Sequence, residues 1–109
     1  MRFPTLCAAM LMLAAARADA APAAAPSRML AASCSGCHGT HGQGGGAMPA
    51  LAGLPADHLG ALLRAFRDGA RPSSVMHQLA RGYTDEEIAA LAAHFAGLPR
   101  PAHGAGVRP

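Results

Sequence analysis

Residues 31–46 read AASCSGCHGTHGQGGG, with two cysteines, two histidines and six glycines in sixteen positions. Cys34 and Cys37 are separated by two residues, and His38 follows at once. Three chemistries use a thiol pair at that spacing. A zinc site of the ribbon or finger type needs four ligands, commonly two short-spaced pairs. Here there is one pair, with His38 and His41 nearby. A thioredoxin-like dithiol is expected beside a strand–helix unit. The third chemistry is covalent attachment of haem: each thiol adds to one vinyl group of a porphyrin, and the next histidine is the proximal ligand of the iron. That reading uses all three residues in their order. The glycine run suits it too, because backbone without side chains passes close to a flat macrocycle.

The compartment agrees. The segment MRFPTLCAAMLMLAAARADA carries Arg2 near its start, an apolar stretch from Leu6 to Ala16, and then Ala18-Asp19-Ala20. This is the order of a secretory signal peptide, residues 1–20, with cleavage expected after Ala20. The apolar stretch is shorter than the roughly 20 residues a membrane span needs, so no membrane span is expected in the mature chain. A periplasmic location follows, and c-type haem attachment in bacteria takes place outside the cytoplasm. Cleavage removes 20 of the 109 residues, Cys7 among them, and leaves 89 with Cys34 and Cys37 as the remaining thiols. Loss of Arg2, Arg17 and Asp19 lowers the formal charge from +3 to +2, and the chain has no lysine. Nothing clusters into a basic stripe, so a nucleic-acid partner is not indicated. With no Trp, one Tyr and only Phe66 and Phe95 left after cleavage, the core is poor in large side chains. Chains of that kind need a disulfide, a metal or a cofactor as a staple.

The elements that must position these residues read as helices. Residues 21–26 form an Ala/Pro leader, and a short helix is predicted from Ser27 through Cys34, with Pro26 ahead of it and Gly36 weakening its end. The glycines of residues 39–46 make a loop. A second helix follows Pro55, with Leu59, Leu62, Leu63 and Phe66 at i, i+3, i+4 and i+7 and a stop at Gly69 and Pro72. Between Ala70 and Tyr83 a loop with one helical turn near Val75–Leu79 is predicted. The last helix has a full start signal: Thr84 caps, Glu87 completes a capping box, and Asp85 and Glu86 suit the positive helix end. Ile88, Leu91, Ala92 and Phe95 repeat the apolar face, and Gly97 and Pro99 close it. No segment alternates as a strand would. The fold class is therefore all-α, three main helices and long loops around one haem, with the domain at residues 27–98 and a disordered tail at 99–109.

The sixth iron position decides between electron transfer and ligand chemistry. Candidates are Met48, Met76, His41, His58, His77, His94 and His103. His41 is three residues past His38 and cannot reach the opposite ring face. His58 and His94 lie on polar helix sides, and His103 is in the tail. Met48, next to Pro49, lies near the proximal side and reads as a gap-filling apolar contact. Met76 and His77 lie far enough along the chain to fold over the other face, and the arrangement of the segment favours Met76. No carboxylate pair or nucleophile–base constellation accompanies them, so an enzyme active site is not indicated. Arg64, Arg67 and Arg71, at i, i+3 and i+7, read as a solvated stripe or as a rim for a partner or a haem propionate.

At this point the chain resembles the class I cytochrome c family from Ser27 to Gly97. The order CSGCH, glycine-rich loop, MPALAGLP, AFRDGARP, SSVMHQLARGYTDEEI and terminal helix is the family's. The resemblance implies one haem c on Cys34 and Cys37, with His38 and Met76 as axial iron ligands and Pro49 and Tyr83 in the haem surroundings. The Pro49 carbonyl would accept a hydrogen bond from the proximal His38. It also implies packing of the first helix on the last, pairing Met29, Leu30 and Ser33 with Leu91, Ala92 and Phe95. Within the family, CSGCHGTHG and SVMHQLARGYTDEEIAALAAHFA are similar to the cytochrome subunits of flavocytochrome c sulfide dehydrogenases. That likeness implies an FAD-containing flavoprotein subunit as partner and a downstream electron acceptor. A free soluble carrier and a haem sensor or enzyme with a labile sixth ligand are the alternatives.

Overall fold

The computed structural model of the chain describes residues 24–102. The signal-peptide segment, residues 1–20, and the tail from His103 lie outside the described residues. Four helices follow one another: α1 Ala24–His38, α2 Ala56–Arg67, α3 Ser74–Ala80 and α4 Asp85–Ala96, with a single 3-10 turn, Thr40–Gly42, after α1. Among the described residues there is no strand, only an isolated bridge between Gly45 and Met48. No described helix is long and apolar enough to cross a membrane. The all-α reading holds.

Helix α1 begins three residues before Ser27 and runs through Gly36 to His38. Pro26 is tolerated in its first turn, where backbone N–H groups have no helical partner in any case. Its inward face is Ser27, Ala31, Cys34 and His38, at i, i+4, i+7 and i+11; Ser27, Ala31 and His38 are buried and Cys34 half-buried. Met29 was expected in the contact with α4 but is 80% exposed, and Ala31 occupies the contact instead. The reason is helical phase. Two residues turn the helix by roughly 200°, so a rotation that puts Cys34 and His38 inward sends Met29 outward. Of the other two expected residues, Leu30 is packed at the edge of the core and Ser33 is exposed.

The core joins Ala31 of α1, Leu59 and Leu63 of α2, and Ile88, Leu91, Ala92 and Phe95 of α4. Helix α4 packs on both α1 and α2, and α3 lies against α2. The α4 start is the capping box expected of it: the Glu87 N–H donates to Thr84 Oγ1 at 3.1 Å, and the Thr84 N–H donates to Glu87 Oε2 at 2.9 Å. The single turn expected near Val75 is a two-turn helix, α3. It is capped by Ser73, whose Oγ accepts from the Met76 N–H at 3.1 Å. Arg67 leaves the arginine stripe to donate to Asp85 Oδ1 at 2.8 Å, joining the end of α2 to the start of α4.

The glycine loop turns tightly where side chains would not fit. Gly44 has φ +74°, and a Cβ there would lie 2.7 Å from the Ala50 nitrogen. After α4 the chain stays ordered beyond Pro99: Arg100 Nη2 donates to the Gly53 carbonyl at 3.0 Å.

Candidate functional site

The four helices enclose one side of a cavity of about 490 Å³ whose wall is overwhelmingly apolar. From α1 it takes Ser33, Cys34, Cys37 and His38. Helix α2 supplies Leu59, Leu62, Leu63 and Phe66, so the whole face read from the sequence reaches the cavity, with Leu59 and Leu63 also buried in the core. Met48 and Pro49 come from the loop, Met76 from α3, and Tyr83 from the turn before α4. All six residues expected to carry or surround the cofactor therefore line one space: Cys34, Cys37, His38, Pro49, Met76 and Tyr83.

His38 is 6% exposed. Its Nδ1 lies 2.8 Å from the Pro49 carbonyl oxygen. A carbonyl only accepts, so Nδ1 carries the proton and Nε2 presents a lone pair. That Nε2 is buried without a hydrogen-bond partner in the protein. An unsatisfied buried acceptor costs about 1–3 kcal/mol. A metal on Nε2 removes that cost, and a ring fixed through its other nitrogen is the usual arrangement of a ligating histidine.

Cys34 and Cys37 are unpaired thiols one helical turn apart on α1. Burial pushes the Cys34 thiol up from its ordinary value. Cys37 is exposed. Among the described residues no three His, Cys, Asp or Glu side chains stand together as a metal-binding group, so a zinc site has no second pair of ligands. The donor set instead fits a covalently held haem: two thiols on one wall, an imidazole nitrogen aimed inward, and a thioether in the lining.

Adjacent residues Met76 and His77 separate. Met76 is half-buried and lines the cavity. His77 turns to α2, where its Nδ1 donates to the Phe66 carbonyl at 2.6 Å, an acceptor it shares with the Gly69 N–H at that helix end. His41, the one described non-glycine residue with positive φ, and His94 line a separate open groove beside α1 and α4. His58 is exposed. Met48 also reaches the cavity, on the Pro49 side. Sequence reasoning missed Ser33 and Leu79 in the lining and the Ser73 cap on the segment that carries Met76. Only the cap left a local sign, a serine three residues ahead of Met76.

Comparison with known proteins places these features. The Cytochrome c family model matches residues 23–99. The cytochrome subunit of sulfide dehydrogenase from Chlorobaculum tepidum is 37% identical over 90% of this chain and 99% of its own length. A thiosulfate dehydrogenase electron acceptor from Stutzerimonas stutzeri is 43% identical over half of this chain, which covers 26% of that protein. Among solved structures, the thiosulfate dehydrogenase of Marichromatium purpuratum matches with a TM-score of 0.65 and 32% identity over 77% of this chain and 20% of that one. Cytochrome c4 of Acidithiobacillus ferrooxidans matches with a TM-score of 0.59 and 35% identity over 60% of this chain and 38% of that one. The two curated relatives are a cytochrome subunit and an electron acceptor of dehydrogenases, the solved structures are a thiosulfate dehydrogenase and a cytochrome c4, and the family match spans well over half of the sequence. The chain belongs to the cytochrome c family, and is an electron carrier with covalently bound haem c rather than a catalyst in its own right.

Proposed function

We propose that the mature chain is a periplasmic monohaem cytochrome with Cys34 and Cys37 as the attachment residues and His38 and Met76 as the axial ligands. In this reading it is the haem subunit that accepts electrons from the FAD-containing subunit of a sulfide dehydrogenase and hands them singly to a downstream acceptor. The observation that carries the ligation is the buried, unpartnered Nε2 of His38 in a cavity that Met76 also lines. Support for the partner comes from the Chlorobaculum tepidum relative, whose likeness extends over nearly the whole length of both chains.

When bound, the haem supplies an iron centre that gains or loses one electron. The protein's part is to hold that centre and tune it. Pro49 fixes the His38 ring through Nδ1 and keeps Nε2 free of a proton. Leu62, Phe66 and Leu91 exclude water, and a dry wall favours the less charged, reduced state. A thioether from Met76 favours the reduced iron further, relative to a second histidine. Met48, Val75 and Leu79 are large apolar side chains at the cavity that remain exposed. A rim of that kind, on a chain without lysine, suits a longer-lived interface better than a charge-steered encounter.

A second reading, electron acceptor of a thiosulfate dehydrogenase, is favoured by the 45% identity to such a protein from Thiomonas intermedia over 74% of this chain and 37% of that protein. Size-exclusion chromatography of a native extract, monitored for haem and flavin, separates the two. The sulfide reading expects haem and flavin to co-elute at low and moderate salt and sulfide to reduce the haem in that fraction. Reduction by thiosulfate in a flavin-free complex supports the second reading. Haem eluting only at the mass of a free small monomer removes both subunit readings and leaves a free carrier.

A further inference from the structure

The segment that carries Met76 is tied down in three places. Ser73 caps it locally, and His77 ties it to the end of α2. The third tie crosses to the helix that bears the attachment residues: the Tyr83 hydroxyl lies 3.2 Å from Ser33 Oγ, fifty residues away in sequence. Ser33 Oγ has one proton, and that proton serves the Leu30 carbonyl at 2.7 Å. Tyr83 is therefore the donor and Ser33 the acceptor in a short relay from Tyr83 through Ser33 to the α1 backbone. Both side chains line the cavity, and Ser33 immediately precedes Cys34. Tyr83 closes the turn that follows α3, its N–H donating to the Ala80 carbonyl at 3.1 Å.

We propose that the Ser33–Tyr83 hydrogen bond is a clamp holding the Met76 segment over the haem-attachment helix, which makes Tyr83 a positioning residue for the distal ligand. The inference rests on Met76 being that ligand. With the phenol bonded to α1, opening of the segment has to break this bond as well as the thioether–iron bond. An entering ligand sees a lower population of the open form. A long, solvent-reached hydrogen bond contributes modestly, so its loss is expected to change that population roughly threefold.

The test uses the oxidised holoprotein and imidazole as the probe, with displacement followed by loss of the far-red sulfur-to-iron charge-transfer band. Tyr83→Phe and Ser33→Ala should each take up imidazole about threefold faster than the parent, and the double variant no faster than either. Ser33→Thr, which keeps a hydroxyl, should stay near the parent rate. Ile88→Val weakens the buried core at a residue that does not line the cavity and should leave the rate unchanged, so general loosening is distinguished from the clamp. An unchanged rate in Tyr83→Phe, an effect of Tyr83→Phe without one of Ser33→Ala, or additive effects in the double variant overturns the clamp. A parent protein with no far-red band overturns the Met76 ligation and the clamp together.

Discussion

Single positions around the cavity differ sharply in what they tolerate. Gly36 and Gly44 are both glycines near the attachment turn, yet their surroundings are opposite. A Cβ at Gly36 meets nothing within 4 Å and sits in a helix, whereas one at Gly44 meets Ala50 backbone at 2.7 Å with φ at +74°. Gly36→Ala should stabilise the holoprotein by about 0.5–1 kcal/mol, and Gly44→Ala should destabilise it by about 1–3 kcal/mol. Denaturant unfolding followed at the haem band measures both; a Gly44→Ala protein as stable as its parent would contradict the close approach. At Met76 the expected outcome is spectroscopic. Met76→Ala should lose the far-red charge-transfer band, lower the potential and let carbon monoxide bind the reduced protein, because a soft sulfur ligand is gone. Met48→Ala should keep the band. The reverse pattern would exchange the roles of the two methionines.

At the scale of elements, the start of α4 is held by two interactions of unequal worth. The Thr84–Glu87 capping box satisfies two backbone donors that α4 cannot satisfy itself. Arg67 reaches Asp85 across the helix ends, but Asp85 is 67% exposed and the pair is screened by solvent. Thr84→Ala is therefore expected to cost about 1 kcal/mol, and Asp85→Asn less than about half of that. Thermal unfolding of the two variants side by side checks the order, which reverses if the ion pair is the stronger tie. Neither change should alter the haem spectrum, since neither residue lines the cavity.

For the whole molecule the question is what holds four short helices together. The buried cluster contains two alanines and five larger side chains, Leu59, Leu63, Ile88, Leu91 and Phe95. Several others that should complete it, Leu51, Leu54 and Met76 among them, are only partly buried around the cavity. A core of that size rarely holds a small domain without a staple. Replacing both Cys34 and Cys37 by serine should yield a chain without attached haem and without a cooperative melt by circular dichroism. A single replacement should leave haem held by one thioether or lost. Recovery of a double variant that melts cooperatively as an apoprotein would show that the helices suffice.

Local spacing decided much of this protein in advance. The proposed haem residues Cys34, Cys37 and His38 lie within five consecutive positions, the α4 cap within four, and the apolar faces of α2 and α4 within two turns each. Interactions that short are written directly in the order of residues. Three matters needed the folded chain. The rotation of α1, which buries Ala31 and exposes Met29, goes with its packing on α4 and places Cys34 and His38 in the cavity lining. Which of Met76 and His77 turns to the cavity is settled by the bond from His77 to Phe66, an element away in the chain. The Tyr83 contact with Ser33 spans fifty residues. A helical repeat predicts which residues share a face, but the direction that face points is set by partners distant in sequence, and those partners meet only when the chain has closed around its cavity.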